Sequence, residues 1–362
     1  MSSSAATPSG TPTLDEGDDV LDVAVAQELA PERRPTGWRR IAYSVLTNRS
    51  LTITIAGLII FAFFSLTTRQ FLTANNLLNV VRNVSLIGIV AVGMTYVLVA
   101  GEIDLSVGSV YGFLTVAVGL LVSTVGIDPW LATLAVMGVG VVIGALNGAL
   151  VTRFGIPSFI VTLAMLTAYR SAALILSGQK PSVTQAVGSF YNFTGGSIGP
   201  VPWLIVWMLL VGAVGGVILS TSRFGYHVYA TGGNLEAARN SGIQTKHVKV
   251  ICFALTSGLC GLVAGLLWGY LHTAAPVTGT GFEFRVIGAV IVGGVLLSGG
   301  RGTIYGSLVG AVIIGMITSG LVLMGFSQDI GDVATGLLIV AVGTFDLLVR
   351  RGAARGLTVL AG

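Results

Sequence analysis

Two carboxylates and two hydroxyls stand close together in the segment Gly101–Ser109, between apolar runs that are each long enough to enter a bilayer. The carboxylates belong to Glu102 and Asp104, and the hydroxyls to Ser106 and Ser109. Burying an ionised carboxylate in hydrocarbon costs about 2.5 kcal/mol or more, so such groups face a water-filled path or a protein partner. The segment therefore fits a broken helix that lines a cavity. It fits equally a polar turn at the bilayer surface, where Asp104 or Ser106 caps the next helix.

Asn147 is a second polar candidate, because it lies between Gly144 and Gly148 inside an apolar segment. Its amide has the chemistry to contact a solute. A hydrogen bond between two closely packed helices is the favoured interpretation, since small neighbours let backbones approach. The three histidines show no spacing typical of metal ligands, so the sequence predicts no metal.

The segment Thr221–Lys249 is long and polar for a connection between apolar runs. Gly232-Gly233 predicts a turn, Asn234 is a good N-cap, and Glu236 would lie in the first turn, where the helix dipole favours an anion. Gly242 is the usual residue at a helix C-terminus. We expect a helix of about seven residues and roughly 10 Å. So short a helix is marginal alone, so it packs against its own protein or docks in a groove on a partner.

The composition places these segments in a membrane. The chain of 362 residues is 53% hydrophobic and only 9% charged, whereas soluble domains have about 25% charged residues. Its mean hydropathy is +0.89. The fold class we predict is an all-α integral membrane protein with about ten transmembrane helices and a broken or re-entrant central hairpin. The ten apolar segments lie near 51–67, 83–100, 107–125, 130–151, 157–177, 203–220, 248–271, 285–298, 304–323 and 331–349.

Two details of this layout depart from simple spans. The segment 285–298 is short for a helix that needs about 20 residues to cross, and the turn at 299–303 fits a position inside the membrane. Before the second span, Phe71–Leu78 predicts a short interfacial helix.

Charge is distributed unevenly along the chain. Seven of the fifteen acidic residues lie in the first 32 residues, which contain no Lys or Arg, so the rest of the chain carries 19 basic residues and 8 acidic ones. We predict a disordered cytoplasmic tail over 1–45 instead of a signal peptide. A transmembrane domain follows over 46–350, and a short cytoplasmic tail over 351–362.

The basic residues also predict the orientation. With ten spans and the N-terminus inside, fourteen Lys and Arg residues fall inside and four outside. This split follows the positive-inside rule and places both termini in the cytoplasm. No run of Lys or Arg carries interleaved aromatic residues, so the charge does not indicate nucleic-acid binding.

A weak internal repeat is visible in the apolar sequence. Val97–Gly101 is similar to Val295–Gly299, and both are followed by a Tyr-Gly pair, at Tyr111-Gly112 and Tyr305-Gly306. Two related hairpins that face one pathway would produce this pattern. Glycine-rich apolar sequence also produces such matches by chance.

Two stretches of the chain resemble a known family. Gly101–Ser109 (GEIDLSVGS), together with the run Ala230–Asn234 (ATGGN), Ala237-Ala238-Arg239 and Ser241-Gly242-Ile243, is similar to the signature stretches of ribose/xylose-type permeases. These permeases are the membrane subunits of bacterial ATP-binding-cassette sugar importers. The resemblance covers residues 45 to 350 in the order and spacing of spans. Glu102 departs from the pattern, because a small or amide residue is expected more often there.

The resemblance implies roles for both stretches. It implies a coupling helix that contacts an ATPase subunit, involving Gly232, Gly233, Asn234, Glu236, Ala237, Ala238, Arg239, Ser241 and Gly242. It implies a translocation path lined partly by the Gly101–Ser109 region, and the path residues we select are Gly101, Glu102, Asp104, Ser106, Ser109 and Asn147.

The resemblance also implies partners and a location. The partners are an ATPase subunit, a second permease copy or a related subunit, a periplasmic sugar-binding protein and membrane lipid. The location is the bacterial inner membrane. The sequence contains no G-x-x-x-x-G-K-[ST] phosphate loop. No cofactor is therefore expected in this chain, and ATP and Mg²⁺ would be bound by the partner.

Three functions from different classes remain open at this point. The first is an importer permease for a monosaccharide, or for an autoinducer, a nucleoside or a branched-chain amino acid. The second is a secondary transporter that uses Glu102 and Asp104 as an ion-coupling pair. The third is a polytopic membrane enzyme. The sequence argues against an enzyme, because no predicted span carries a cluster of His, Asp or Glu residues on one face.

Overall fold

The computed structural model describes residues 49–184 and 188–354. Each of the ten predicted apolar segments contains a helix. These helices are α1 (Arg49–Thr67), α2 (Ala74–Val99), α3 (Val107–Ser123), α4 (Pro129–Phe154), α5 (Ser158–Leu176), α7 (Trp203–Thr221), α10 (Thr245–Leu271), α11 (Phe282–Val292), α12 (Ile304–Leu323) and α13 (Gln328–Ala354).

The remaining elements are short. Three further helices are α6 (Ser189–Thr194), α8 (Arg223–Gly233) and α9 (Leu235–Asn240). Strand β1 (Ser182–Val183) pairs antiparallel with β4 (Thr273–Ala274), and β2 (Ser197–Ile198) pairs antiparallel with β3 (Val201–Pro202). The fold is all-helical apart from these two-residue pairs.

Seven helices in the described part of the chain are long and apolar enough to cross a membrane, namely α1, α2, α4, α5, α7, α10 and α12. Helix α3 is apolar but shorter, with 17 residues, and α11 has 11 residues. The figure of ten spans therefore stays a prediction. The short α11 agrees with the expectation that the 285–298 region is not a full span.

Helices α2 and α10 form the centre of the protein, since about two-thirds of the residues in the most apolar stretch of each helix are buried. Helix α10 packs along α4 over most of its length. Gly140 and Gly144 lie on the contact face of α4. A Cβ on Gly140 would overlap the Ser257 carbonyl oxygen of α10, and a Cβ on Gly144 would overlap the Phe253 carbonyl oxygen. This close approach of two backbones is typical of helix pairs in membranes.

The structure corrects one boundary near the second span. Phe71–Leu78 was predicted to form a separate interfacial helix, but α2 starts at Ala74 and continues without a break to Val99. Only the turn 68–73 separates it from α1. The apolar residues from Leu77 onwards continue the pattern of the span, so nothing in the sequence stops the helix.

The predicted tails lie largely outside the described residues. Nothing of the tail 1–45 is described, and of the tail 351–362 only the part up to Ala354 is described, where it continues α13.

Candidate functional site

The segment Asn234–Gly242, here called the α9 segment, forms the short helix that the sequence predicts. Helix α9 has six residues, one fewer than expected. The Asn234 side chain caps it by accepting a hydrogen bond from the Ala237 N–H at 3.0 Å. At the other end Gly242 has a φ of +82°, and its N–H donates to the Arg239 carbonyl. The two predicted end residues therefore act as cap and stop.

One face of the α9 segment packs on the protein and the other is free. Ala238 is 4% exposed, and the Ile243 N–H donates to its carbonyl at 3.0 Å. The Arg239 guanidinium donates to the Thr245 hydroxyl at 3.2 Å, which ties α9 to the start of α10. The exposed residues are Asn234, Glu236, Ala237, Arg239, Asn240, Ser241 and Gly242. A short helix is thus fixed at its base and offers a polar surface to solvent.

The turn predicted at Gly232-Gly233 is wrong. Both glycines are the last residues of α8, and Asn234 alone separates α8 from α9. The segment 221–249 is mostly helical, with a short connection after α9. Gly232 has another structural role, because two other chain segments approach it closely.

Three segments meet at what we call the glycine junction, formed by Val99–Gly101, Gly232-Gly233 and Gly299-Gly300. The Gly300 N–H donates to the Val99 carbonyl at 2.8 Å. A Cβ on Gly232 would overlap that same carbonyl oxygen, and a Cβ on Gly299 would lie 2.8 Å from the Gly101 Cα. Gly101 and Gly299 both have a φ of +81°, a conformation that glycine adopts without steric cost.

The junction brings together the two halves of the weak sequence repeat. Val97–Gly101 ends α2, and Val295–Gly299 follows α11. Both segments turn at a glycine of the same conformation, and they contact each other directly through Gly299 and Gly101. The repeated sequence thus corresponds to two glycine turns at one place, against the end of α8.

Tyr229 strengthens the link between α8 and the third segment of the junction. Its hydroxyl donates to the Gly302 carbonyl at 2.7 Å. Burial raises the pKa of the Tyr229 hydroxyl, so the group remains a protonated donor. This hydrogen bond joins α8 to the connection between α11 and α12.

Glu102 makes a second link to the α9 segment. Lys249, near the start of α10, forms an ion pair with Glu102, and the two side chains are 15% and 13% exposed. Both residues line a cavity of about 250 Å³ whose wall also contains Leu235 and Arg239 of α9. The Glu102 carboxylate is therefore paired with a lysine of this chain.

The other polar residues of the Gly101–Ser109 region form a buried network. Asp104 accepts hydrogen bonds from the Ser106 N–H at 2.9 Å and the Ser106 hydroxyl at 2.6 Å. The Asn147 amide donates to the Ser106 hydroxyl at 3.0 Å, and the Tyr169 hydroxyl donates to the Asn147 carbonyl oxygen at 3.3 Å. Asp104, Ser106 and Asn147 are all 0% exposed.

The network gives Asn147 the hydrogen bonds that its favoured interpretation expects. The amide joins α4 to the segment before α3 and to α5, which is the favoured hydrogen bond between helices. Ser109 lies nearby on α3, buried and with no hydrogen-bond partner among the described residues. The role of these side chains as path residues stays a prediction.

Several residues of the site were missed from the sequence. From the sequence, Lys249 counts as one more inside cation, and Tyr229 is one residue of the polar segment Thr221–Lys249 with no assigned partner. Tyr169 joins the network from α5, 22 residues after its partner Asn147. Within the described ranges, no group of three or more His, Cys, Asp or Glu residues is arranged to hold a metal ion.

Comparison with known proteins supplies the family. Residues 76–343 match the family described as branched-chain amino acid transport system / permease component. The chain belongs to this permease family. Its members are transport permease components, so the polytopic-enzyme alternative is set aside and the protein is a multi-pass, all-helical membrane permease.

Relatives agree with this assignment. The permease is 38% identical over 288 residues to the ribose import permease protein of Bacillus subtilis (strain 168), covering 78% of this chain and 88% of the relative. It is 36% identical to the ribose import permease protein of Escherichia coli (strain K12), covering 76% and 86%. It is 32% identical to the autoinducer 2 import system permease protein of Photorhabdus luminescens, covering 83% and 91%. No solved structure matches the permease.

Proposed function

We propose that this permease is the membrane-spanning subunit of an ATP-driven importer and carries a monosaccharide of the ribose type into the cytoplasm. A separate ATPase subunit binds ATP and Mg²⁺ and docks on the α9 segment. A second permease copy completes the translocation path, and a periplasmic sugar-binding protein delivers the solute. The chain lies in the bacterial inner membrane with both termini in the cytoplasm.

One observation carries the coupling part of this proposal, namely that the α9 segment is exposed on one face and anchored on the other. A helix of six residues has little stability of its own. The cap at Asn234, the buried Ala238 and the bond from Arg239 to Thr245 hold it in place. A partner that moves the exposed face would move α8 and α10 with it, which is how a rigid-body displacement passes between subunits.

The glycine junction and the Glu102–Lys249 pair give that displacement two routes to the spans. The first runs from α8 through Gly232 and Tyr229 to the segments that follow α2 and α11. The second runs from α10 through Lys249 to Glu102. Both routes reach the connection between α2 and α3, where most of the path residues are predicted, and the first also reaches the connection between α11 and α12 through Tyr229.

The choice of a ribose-type monosaccharide follows from the relatives, several of which are ribose import permease proteins. The autoinducer permease at 32% identity supports a different small solute of the same transport type. Ion-coupled transport through Glu102 and Asp104 is the alternative. Glu102 is paired with Lys249, whereas Asp104 accepts from Ser106 through Oδ1 and its buried Oδ2 has no hydrogen-bond partner among the described residues.

Extraction of the tagged protein from its native membrane tests the proposal. We expect an ATP-hydrolysing subunit to co-purify in stoichiometric amount, and to be lost when Glu236→Lys is introduced into the α9 segment. Vesicles that contain the intact complex should take up labelled ribose only when ATP is present on the cytoplasmic side of the complex. If no ATPase co-purifies and uptake collapses with the ion gradient, the secondary-transporter alternative is correct.

A further inference from the structure

A cavity of about 540 Å³ lies at the end of the fold opposite the α9 segment. Its wall is made by the first turns of α2, the last turns of α12 and the connection before α11. Helix α2 runs from this cavity to the glycine junction over 26 residues, which is about 39 Å. The volume lies within the range of about 300–1,000 Å³ that is usual for small-molecule sites.

Three asparagines of α2 line the cavity. Asn76, Asn79 and Asn83 are spaced three and four residues apart, so they lie on one face of the helix. The side chain of Asn76 makes two hydrogen bonds within the protein. It donates to the Phe71 carbonyl at 2.8 Å and accepts from the Ser319 hydroxyl at 2.7 Å.

Asn79 and Asn83 are not engaged in this way. Both are exposed, and neither has a hydrogen-bond partner among the described residues. A carboxamide offers two donors and an acceptor with two lone pairs. Two such groups, one helical turn apart, match a ligand that carries several neighbouring hydroxyls.

The cavity is bordered by an aromatic pair. The rings of Tyr111 and Phe282 have centroids 4.7 Å apart, with an angle of 35° between their planes, and both residues line the cavity. Mostly apolar and aromatic walls with a few well-placed polar groups are the usual composition of a small-molecule site. The pair gives the carbon skeleton of a ligand an apolar surface to pack on.

Charge restricts the ligand to neutral molecules. Arg285 is the one ionised side chain among the described residues that line the cavity, and its guanidinium donates to both carboxylate oxygens of Asp332, at 2.8 and 3.0 Å. A bidentate pair of this kind satisfies the arginine. No unpaired charge of the described wall remains to attract an anion or a cation.

The lip of the cavity is held by α5. The Arg170 guanidinium donates to the Thr278 carbonyl at 3.1 Å and to the Thr280 hydroxyl at 2.8 Å. Thr278 and Thr280 belong to the connection before α11 and line the cavity. The site is thus built on rigid elements, with its one long connection fixed by an arginine from a spanning helix.

We infer that Asn79 and Asn83 bind a neutral, polyhydroxylated solute in this cavity, which is the outer solute site of the permease. The inference rests on the proposed function and adds to it, because it places the first contact of the solute away from the predicted path residues. In the proposed orientation the cavity faces the periplasm. The solute would then leave it past Tyr111 and Phe282 towards the centre of the protein.

Isosteric substitutions of the two free amides test the inference in the intact importer complex. Asn79→Leu and Asn83→Leu keep the side-chain size and remove hydrogen bonding. We expect each to lower ribose uptake at limiting concentration by about tenfold, since one lost pair of hydrogen bonds has about that effect. ATP hydrolysis by the complex and the protein level should stay unchanged, and Asn83→Gln should retain more uptake than Asn83→Leu. Asn75→Leu is the matched control, because Asn75 is exposed on the same helix and lies outside the cavity wall.

A second measurement needs no knowledge of the solute. Both native thiols, Cys252 and Cys260, are free and buried, so Asn83→Cys gives one accessible thiol in the described part of the chain. A membrane-impermeant methanethiosulfonate added outside cells should modify it, and a mixture of neutral monosaccharides should slow the reaction at least twofold. Potassium chloride at equal osmolarity should not.

The outcomes separate this inference from the proposed function. Normal uptake by both leucine variants, with wild-type uptake intact, overturns the inference and leaves the function standing. If the wild type moves no ribose, the proposed solute is wrong and the thiol measurement decides. Labelling that is absent, or unaffected by sugars, then overturns the inference, and protection by sugars supports it.

Discussion

Lys249 of α10 forms an ion pair with Glu102, the residue that follows the turn at Gly101. The pair connects the helix that carries the α9 segment to the connection between α2 and α3. Both side chains are largely buried, so each charge depends on the other. The resemblance leads us to expect a small or amide residue at position 102, and the structure shows that the charge of Glu102 is compensated within the same chain.

The first prediction concerns this pair. Glu102→Gln leaves the Lys249 ammonium mostly buried without its counter-charge, and we expect a loss of about 1–3 kcal/mol in the free energy of unfolding. The double variant Glu102→Gln/Lys249→Met should lose less than the sum of the single variants, because the two residues interact. Thermal unfolding of the purified permease in detergent measures both effects. Additive losses would mean that the ion pair does not stabilise the fold.

The second prediction concerns the glycine junction. Gly232→Ala places a Cβ on the Val99 carbonyl oxygen, and overpacking of this kind costs about 1–3 kcal/mol. Gly233→Ala is the matched control, because no atom lies within 4 Å of a Cβ there. In the last turn of a helix the change from glycine to alanine should be neutral or stabilise by up to about 1 kcal/mol. Equal thermal stabilities of the two variants would contradict the close contact.

The sequence predicted the helical segments well and their contacts poorly. Ten apolar runs stand out because each is long and nearly free of charge, and each contains a helix. The caps at Asn234 and Gly242 were predictable because capping depends on local chemistry. The turn at Gly232-Gly233 was predicted wrongly, because that prediction also used local chemistry alone. Local rules treat a glycine pair as a break, whereas Gly232 admits the carbonyl of Val99 from another part of the chain.

In the candidate site too, conspicuous residues were predictable from the sequence and their contacts with distant residues were not. The polar residues of Gly101–Ser109 were recognisable, because charge in an apolar chain is conspicuous. Lys249, the partner of Glu102, lies 147 positions further along the chain, and Tyr169 joins the network through Asn147. Only the packing of their helices selects these two residues. The free amides of Asn79 and Asn83 gave no signal either, since α2 was expected to begin near residue 83.

The third prediction concerns the α9 segment. Glu236→Lys reverses an exposed charge at the helix N-terminus, and Gly242→Pro removes an N–H that donates to Arg239 and a φ of +82° that proline cannot adopt. Both should abolish ATPase binding and ATP-dependent uptake while the permease stays folded in the membrane. Co-purification and uptake are the measurements. Lys180→Glu is the control, as an exposed charge reversal outside the α9 segment. Normal uptake by the α9 variants would argue strongly against ATPase coupling through this helix.

The last prediction separates a structural role of Asn147 from a role in the path. Asn147→Leu has similar volume but leaves the Ser106 and Tyr169 hydroxyls without their amide partner. An unsatisfied buried polar group costs about 1–3 kcal/mol, so the thermal stability of the variant should fall, whereas Asn75→Leu, on the exposed start of α2, should not change it. If the network is structural, the folded fraction of Asn147→Leu transports at the wild-type rate per molecule. Stability equal to wild type together with lost uptake would instead place Asn147 on the path, where the amide contacts the solute.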